Sequence, residues 1–167
     1  MRRQRCWWTS QQIASLGRKF LVVVHLMKMA VGIDSFSHLA HVQESRIQDL
    51  TKAGEPPILR HWTRNSPTRA EEICAGGSLY WIIKGAIRAR QKISSIDKNT
   101  SERSRKRCAL VLDPTLVRTE LKISRPIQGW RYLDPQAAPK DLLTAANEGN
   151  IDIPMEMAKE LRELGLL

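Results

Sequence analysis

The sequence has few of the residue patterns that identify catalytic or metal-binding proteins. Its three cysteines, Cys6, Cys74 and Cys108, are odd in number and lack metal-ligand spacing, which indicates free or buried thiols in a reducing compartment. The four histidines form no His-x-x-x-His or Cys/His pattern. The Gly-x-Ser-x-Gly motif of serine hydrolases is also missing. We therefore expect no metal and no cofactor, and the sequence assigns no catalytic residue.

Long apolar runs are missing as well. The longest, residues 20–24, is far too short to cross a bilayer. A hydrophobic content of 42% is nevertheless too high for a disordered chain, and 167 residues can bury one core. We expect a cytoplasmic protein with no membrane contact.

Acidic residues are scarce in two parts of the chain. Residues 1–20 contain no acid and carry a charge of +5, whereas residues 84–131 hold thirteen basic and four acidic residues. The whole chain has a net charge of +10. A basic block of this size attracts polyanions without specifying them, and a well-solvated surface is an equally good explanation.

Residues 1–19 differ in composition from the remainder. We expect them to form a disordered basic extension; a start assigned too early and a mitochondrial-type presequence are the alternatives. Residues 20–167 are expected to form a single domain.

The order of predicted elements favours an α+β fold with a curled, antiparallel-rich mixed sheet and capping helices. A first strand is predicted over residues 20–29, followed by a helix capped by Ser35. A second, short helix is predicted from Thr68 to Cys74, with Ser66 as its cap and Pro67 in its first turn. The other expected elements are strands over 58–64, 78–93, 108–113 and 116–123, a polar turn over 97–106, an aromatic segment over 126–133, and helices over 140–148 and 154–164.

The most informative segment is residues 78–93. Its odd positions, such as Leu79, Trp81 and Ile93, are apolar, whereas its even positions become increasingly basic. Side chains two apart on a strand share a face, so this pattern predicts a positive stripe beside Tyr80. Gly85 is expected at a bulge or sharp bend.

Several segments resemble the signature runs of a small alphaproteobacterial family of unknown function. They are residues 61–64, 69–70, 76–85 (GGSLYWIIKG), 88–91, 107–114, 116–119 (LVRT) and 128–133 (QGWRYL). The resemblance runs from about Leu21 onward and implies no activity. A looser similarity, based on element order, is to PUA-like barrels such as the ASCH group, which often bind RNA; it implies a PUA-like barrel.

We hypothesise a module that binds nucleic acid, with RNA favoured, or a nucleotide. Basic side chains would hold the phosphates and exposed aromatic rings would stack on bases. The predicted binding residues are Arg64, Tyr80, Lys84, Arg88, Arg90, Arg118, Trp130, Arg131 and Tyr132.

The alternative is an enzyme that acts on a small phosphate- or carboxylate-bearing substrate in an arginine-lined pocket. His61, Tyr80, Asp113 and Arg131 would converge in it. A related expectation is a phosphate site where Arg60, His61, Arg64 and Arg69 surround the start of the second helix.

Overall fold

A six-stranded curled sheet, seen in a computed structural model, carries the elements of this chain. The structure describes residues 23–102 and 105–142. The predicted helices over 140–148 and 154–164 and the extension over 1–19 lie outside these residues, apart from 140–142. The strands are β1 (His25–Met29), β2 (Leu59–Thr63), β3 (Ser78–Ile83), β4 (Ala86–Glu102), β5 (Arg105–Ile123) and β6 (Trp130–Leu133).

Within the sheet the strands follow the order β2-β5-β4-β3-β1-β6. Only β1 and β3 run parallel; the other neighbours are antiparallel. Helix α1 (Phe36–Lys52) packs on one face, and the short helix α2 (Ala70–Cys74) precedes β3. The predicted α+β class, with a curled and largely antiparallel sheet, is confirmed. No helix in the described part of the chain is long and apolar enough to span a membrane.

Helix α1 begins where the sequence predicts. The Ser35 hydroxyl accepts a hydrogen bond from the His38 amide at 3.0 Å, which satisfies one of the free donors of the first turn. Helix α2 begins later than predicted, because Arg69 rather than Ser66 stands at its N-cap. The Thr68 and Arg69 amides, which precede the helix, donate to the Tyr132 hydroxyl, so a distant side chain holds the segment that leads into α2.

Strands β3 and β4 form a hairpin whose two-residue turn contains Lys84 and Gly85, with φ values of 47° and 77°. Two consecutive residues with positive φ are typical of the turn type that matches strand twist, which confirms the predicted bend at Gly85. The register with β3 shifts within this hairpin, since Trp81 pairs with Ala89 and Ile82 pairs with Ile87. Arg88 is therefore an extra residue in β4. The alternation of apolar side chains between the two faces of the strand reverses at this position.

Both faces of this hairpin are buried, which corrects the predicted basic stripe. Leu79, Trp81 and Ile93 lie in the main core beneath α1, as their parity predicts. Tyr80 and Ile82 lie in a second apolar cluster with Ile87 and Leu133. The second face is covered because partly buried residues from β1 and from the segment after β6 pack against it.

Strand β5 is longer than the sequence predicts. Pro114 was expected to end a strand, but β5 continues through it to Ile123. Gln91 pairs with Leu116 and Ile93 pairs with Leu112, so residues 113–115 lie opposite Lys92 alone. This bulge accommodates a residue that has no amide hydrogen to donate. The predicted turn over 97–106 is also wrong, since β4 extends to Glu102 and β5 starts at Arg105.

A pair of buried glutamines joins α1 to the sheet. The Gln43 and Gln91 side-chain amides exchange two hydrogen bonds of 3.0 Å each. Gln91 also accepts from Trp81 Nε1 at 3.3 Å and donates to the Asp113 carbonyl at 2.7 Å. Gln91 is fully buried, so each of these partners depends on it for a hydrogen bond that water cannot replace.

We predict that Gln91→Met lowers the free energy of unfolding by about 3 kcal/mol, because it leaves several buried polar groups without a partner. Gln43→Met should lower the free energy of unfolding by less. The loss for the double variant should be smaller than the sum of the two single losses. Denaturant unfolding measures all three. Gln48→Met, at an exposed position of the same helix, is the control and should change stability by no more than about 0.5 kcal/mol. Equal losses for Gln48→Met and Gln91→Met would contradict the prediction.

Candidate functional site

The predicted basic strand residues do not form one surface. Arg90 makes a two-pronged ion pair with Asp141, and Lys84 pairs with Asp34 at 2.9 Å. Arg118 lies 4.2 Å above the Phe36 ring, on the face that carries α1. Arg90 is on the opposite face, since its neighbour Ala89 pairs with Arg118 and belongs to the main core. Arg88 is half-buried at the bulge.

Tyr80 was expected to be an exposed stacking platform, and this expectation is wrong. Its relative exposure is 4%, and its ring meets His25 edge-on at 5.3 Å. Burial raises the pKa of the Tyr80 hydroxyl. The ring therefore contributes to packing, and a base has no access to its face.

The other two predicted aromatics lie together on β6, beside the loop after β2. Trp130 Nε1 donates to the Asn65 carbonyl at 3.0 Å, and the rings of Trp130 and Tyr132 are 5.1 Å apart. The Tyr132 hydroxyl accepts from the Thr68 and Arg69 amides at 3.0 and 3.2 Å. Burial raises the pKa of Tyr132, but these hydrogen bonds outweigh it and the pKa is lowered.

The expected phosphate site at the start of α2 is thus occupied by the protein itself. The amides just before the helix bind Tyr132, and Arg69 forms a two-pronged ion pair with Glu72. Arg64 is exposed and immediately precedes Asn65, whose carbonyl accepts the hydrogen bond from Trp130. Arg131 is also exposed, and its side chain donates to the Trp130 carbonyl.

The four residues of the enzyme hypothesis do not converge either. His61 contacts Trp81 on the face covered by α1, whereas Tyr80 lies on the other face. Asp113 accepts a hydrogen bond from the Thr115 amide at 2.8 Å, which lowers its pKa and indicates a local turn. In the described ranges, no three His, Cys, Asp or Glu side chains come close enough to hold a metal ion.

A cavity of about 170 Å³ lies between α1 and the sheet, and residues of β1, β2, β3 and β5 line it. Three basic residues line it: Lys28 from β1, Arg46 from α1 and Arg60 from β2. His61, Gln43 and Trp81 supply the remaining polar side chains, and the other lining residues are apolar. No aspartate or glutamate is among the described residues that line this cavity, which we call the cationic pocket.

None of the three pocket cations forms a salt bridge with a carboxylate elsewhere in the described ranges. Burial lowers the pKa of Lys28, because the charged form loses water. Net positive charge is thus held in a concave site that has no counter-ion among the residues that the structure describes. Such a site attracts an anion.

His61 lies on the wall of the cationic pocket, with its ring edge-on to Trp81 at 5.1 Å. Its buried Nε2 has no hydrogen-bond partner among the residues that the structure describes. Burial, followed by the charges of Lys28 and Arg46, lowers the pKa of His61 to about 4. The imidazole is therefore neutral near pH 7 and can donate or accept a hydrogen bond.

Sequence reasoning singled out Arg60 and His61 but placed them in a different cluster, and it missed Lys28, Gln43 and Arg46. Two signals were present. Lys28 interrupts an apolar strand, and Gln43 stands in the buried stripe of α1 one turn after Leu39. Arg46 is exposed, yet it also lines the pocket.

The family model described as "Protein of unknown function (DUF1489)" matches residues 26–167. The chain belongs to this family. The matched range covers every residue that lines the cationic pocket. No curated protein and no solved structure shows significant similarity to the chain.

We predict a loss of stability between pH 6.5 and pH 4 that depends on His61. An exposed imidazole has a pKa of about 6.5, so the unfolded chain takes up a proton in this window while the folded chain does not. Protonation therefore favours unfolding as pH falls, by at most about 3 kcal/mol. Denaturant unfolding at a series of pH values should show a smaller loss for His61→Phe than for the wild type.

The control for this experiment is His41→Phe, at an exposed position of α1. It should keep the wild-type dependence on pH. The pKa of His25 is also lowered by burial, so His25 should maintain part of the dependence of stability on pH in every variant. The same slope in the His61 variant and the wild type would contradict the prediction.

Proposed function

We propose that the protein binds a small ligand through a phosphate or carboxylate group in the cationic pocket. The supporting observation is that Lys28, Arg46 and Arg60 all line one cavity, with no acidic residue among the described residues that line it. Guanidinium groups form charge-assisted hydrogen bonds with both kinds of anion, and a partly dry cavity strengthens them.

The neutral His61 gives such a ligand a further contact. Its Nε2 can donate to an anion oxygen when it carries the proton, and an anion nearby would favour the charged imidazolium. Gln43 lines the same wall, but its amide already bonds to Gln91. The specific contacts are therefore assigned to the two arginines, Lys28 and His61.

A first test uses sulfate and phosphate as probes, with binding followed by NMR chemical shifts at low ionic strength. We predict that Arg46→Gln and Arg60→Gln each weaken binding about tenfold, which corresponds to the loss of one charge-assisted contact. Arg64→Gln is the matched control, because Arg64 is exposed and lies just after β2 but outside the cavity. Equal weakening by all three variants would mean that net charge alone attracts the anions, and the proposal would fail.

Single-stranded RNA is the second candidate ligand. The observation that favours it is the Trp130–Tyr132 pair with an exposed arginine, Arg64, one residue before the Asn65 carbonyl that accepts from Trp130, since basic residues near aromatic rings are common in sites that stack bases. Binding of RNA along the predicted basic stripe has less support, because Tyr80 is buried and Arg90 and Lys84 are paired with carboxylates.

The same variants separate the two candidates. RNA bound at the β6 edge should dissociate as salt rises and should be weakened by Arg64→Gln, with little effect of Arg46→Gln. Binding of a ligand in the cationic pocket should instead be weakened by Arg46→Gln, with little effect of Arg64→Gln. Labelled RNA of mixed sequence, titrated into each variant, measures the RNA side of this comparison.

A further inference from the structure

A second, more open hollow adjoins the cationic pocket at the end of β1. Its volume is about 400 Å³, and its walls include Lys28, Met29 and Val31, which also line the pocket. The remaining wall is the loop over residues 126–129. The three shared residues place the two spaces side by side at the end of β1.

The chemistry of the two spaces differs. The cationic pocket has three basic residues, whereas Lys28 is the only charged residue among the described residues that line the hollow. Met29, Val31, Pro126 and Ile127 give the hollow a mainly apolar wall. Lys28 thus stands at the boundary between a charged and an apolar space.

Val31 is unusually exposed for its type, with 85% of its surface accessible. Apart from Ile123 at 59%, it is the only large hydrophobic residue so exposed in the described ranges. Exposed apolar groups that border a cavity often mark a ligand surface. Val31 belongs to both cavities, so it is placed to cover an apolar group that leaves the pocket.

The backbone holds the two spaces in a fixed relation. Lys28 of β1 is paired with Trp130 of β6, directly after the loop that walls the hollow. Gly129 has a φ of 76°, and a Cβ there would meet no atom within 4 Å. This glycine therefore serves the turn into β6 rather than close packing.

Size also favours a ligand longer than a free anion. Sites for small molecules commonly measure about 300–1,000 Å³. The cationic pocket, at about 170 Å³, is suited to a head group alone. Together with the hollow it reaches the ordinary range.

We propose that the ligand joins an anionic head group, held in the cationic pocket, to an apolar group that lies in the hollow against Val31. This inference rests on the proposed function, because it names the ligand class of the same site.

Three probes test it on the full chain: inorganic phosphate, phenyl phosphate and glycerol 3-phosphate. Burying roughly 60 Å² of ring surface should make phenyl phosphate bind about tenfold more tightly than inorganic phosphate. Glycerol 3-phosphate, whose extension is polar, should show no such gain. Val31→Ser should lower the affinity for phenyl phosphate about threefold and leave that for inorganic phosphate unchanged. Ile123→Ser is the matched control, because Ile123 is exposed but lines neither cavity.

Failure of this inference can be distinguished from failure of the proposed function. If inorganic phosphate binds and phenyl phosphate binds no better, the apolar extension is wrong while the anion site stands. A loss for Val31→Ser no greater than for Ile123→Ser would also overturn the extension. If none of the three probes binds, the anion site and the inference are both wrong.

Discussion

The hydrogen-bonded pair of Gln43 and Gln91 is the interaction on which the rest of the structure depends. It fixes the middle of α1 over the sheet, at the point where β4 passes beneath the helix. The same Gln91 oxygen accepts from the Trp81 indole, and the Trp81 ring supports His61. A continuous series of buried contacts thus leads from the helix to the wall of the cationic pocket. Without the pair, the cavity between α1 and the sheet would have no fixed width.

Charge pairing distinguishes the cationic pocket from three other basic residues of the described ranges. Lys84, Arg69 and Arg90 each have a carboxylate partner, so their charges are largely compensated. Lys28 and Arg46 both lie near His61, since their charges help to lower its pKa. Repulsion among the pocket cations opposes folding, and a bound anion would remove it. Anything that binds the folded chain alone stabilises it, so a ligand of this site should also raise the stability of the fold.

Much of the fold could be predicted from local signals. Ser35 marks the start of α1, and the alternation through residues 79–83 with Gly85 at the bend identifies the β3–β4 hairpin. The failures depend on tertiary structure. Tyr80 is buried because a later segment covers its face, and Pro114 remains within a strand because β4 supplies the opposite side of a bulge. The continuation of β4 and β5 through a polar segment likewise results from the pairing of the two strands.

The candidate site was less predictable than the fold. Its charged residues come from three elements that are distant in the chain, namely Lys28 in β1, Arg46 in α1 and Arg60 in β2. Their convergence follows from the sheet order and the position of α1, neither of which a local pattern encodes. The predicted basic stripe failed for the opposite reason: neighbouring residues of one strand were expected to act together, but partners elsewhere in the fold neutralise or bury them.

The most direct test of the anion site is the pKa of the His61 imidazole, measured by NMR with and without saturating sulfate. Sulfate suits this experiment because it remains a dianion across the titration. An anion beside Lys28, Arg46 and Arg60 stabilises the imidazolium, so the pKa should rise from about 4 by one unit or more. The Arg60→Gln variant should show a smaller rise. A His61 pKa that sulfate leaves unchanged, while other signals confirm a folded chain, would contradict the assignment of this cavity as an anion site.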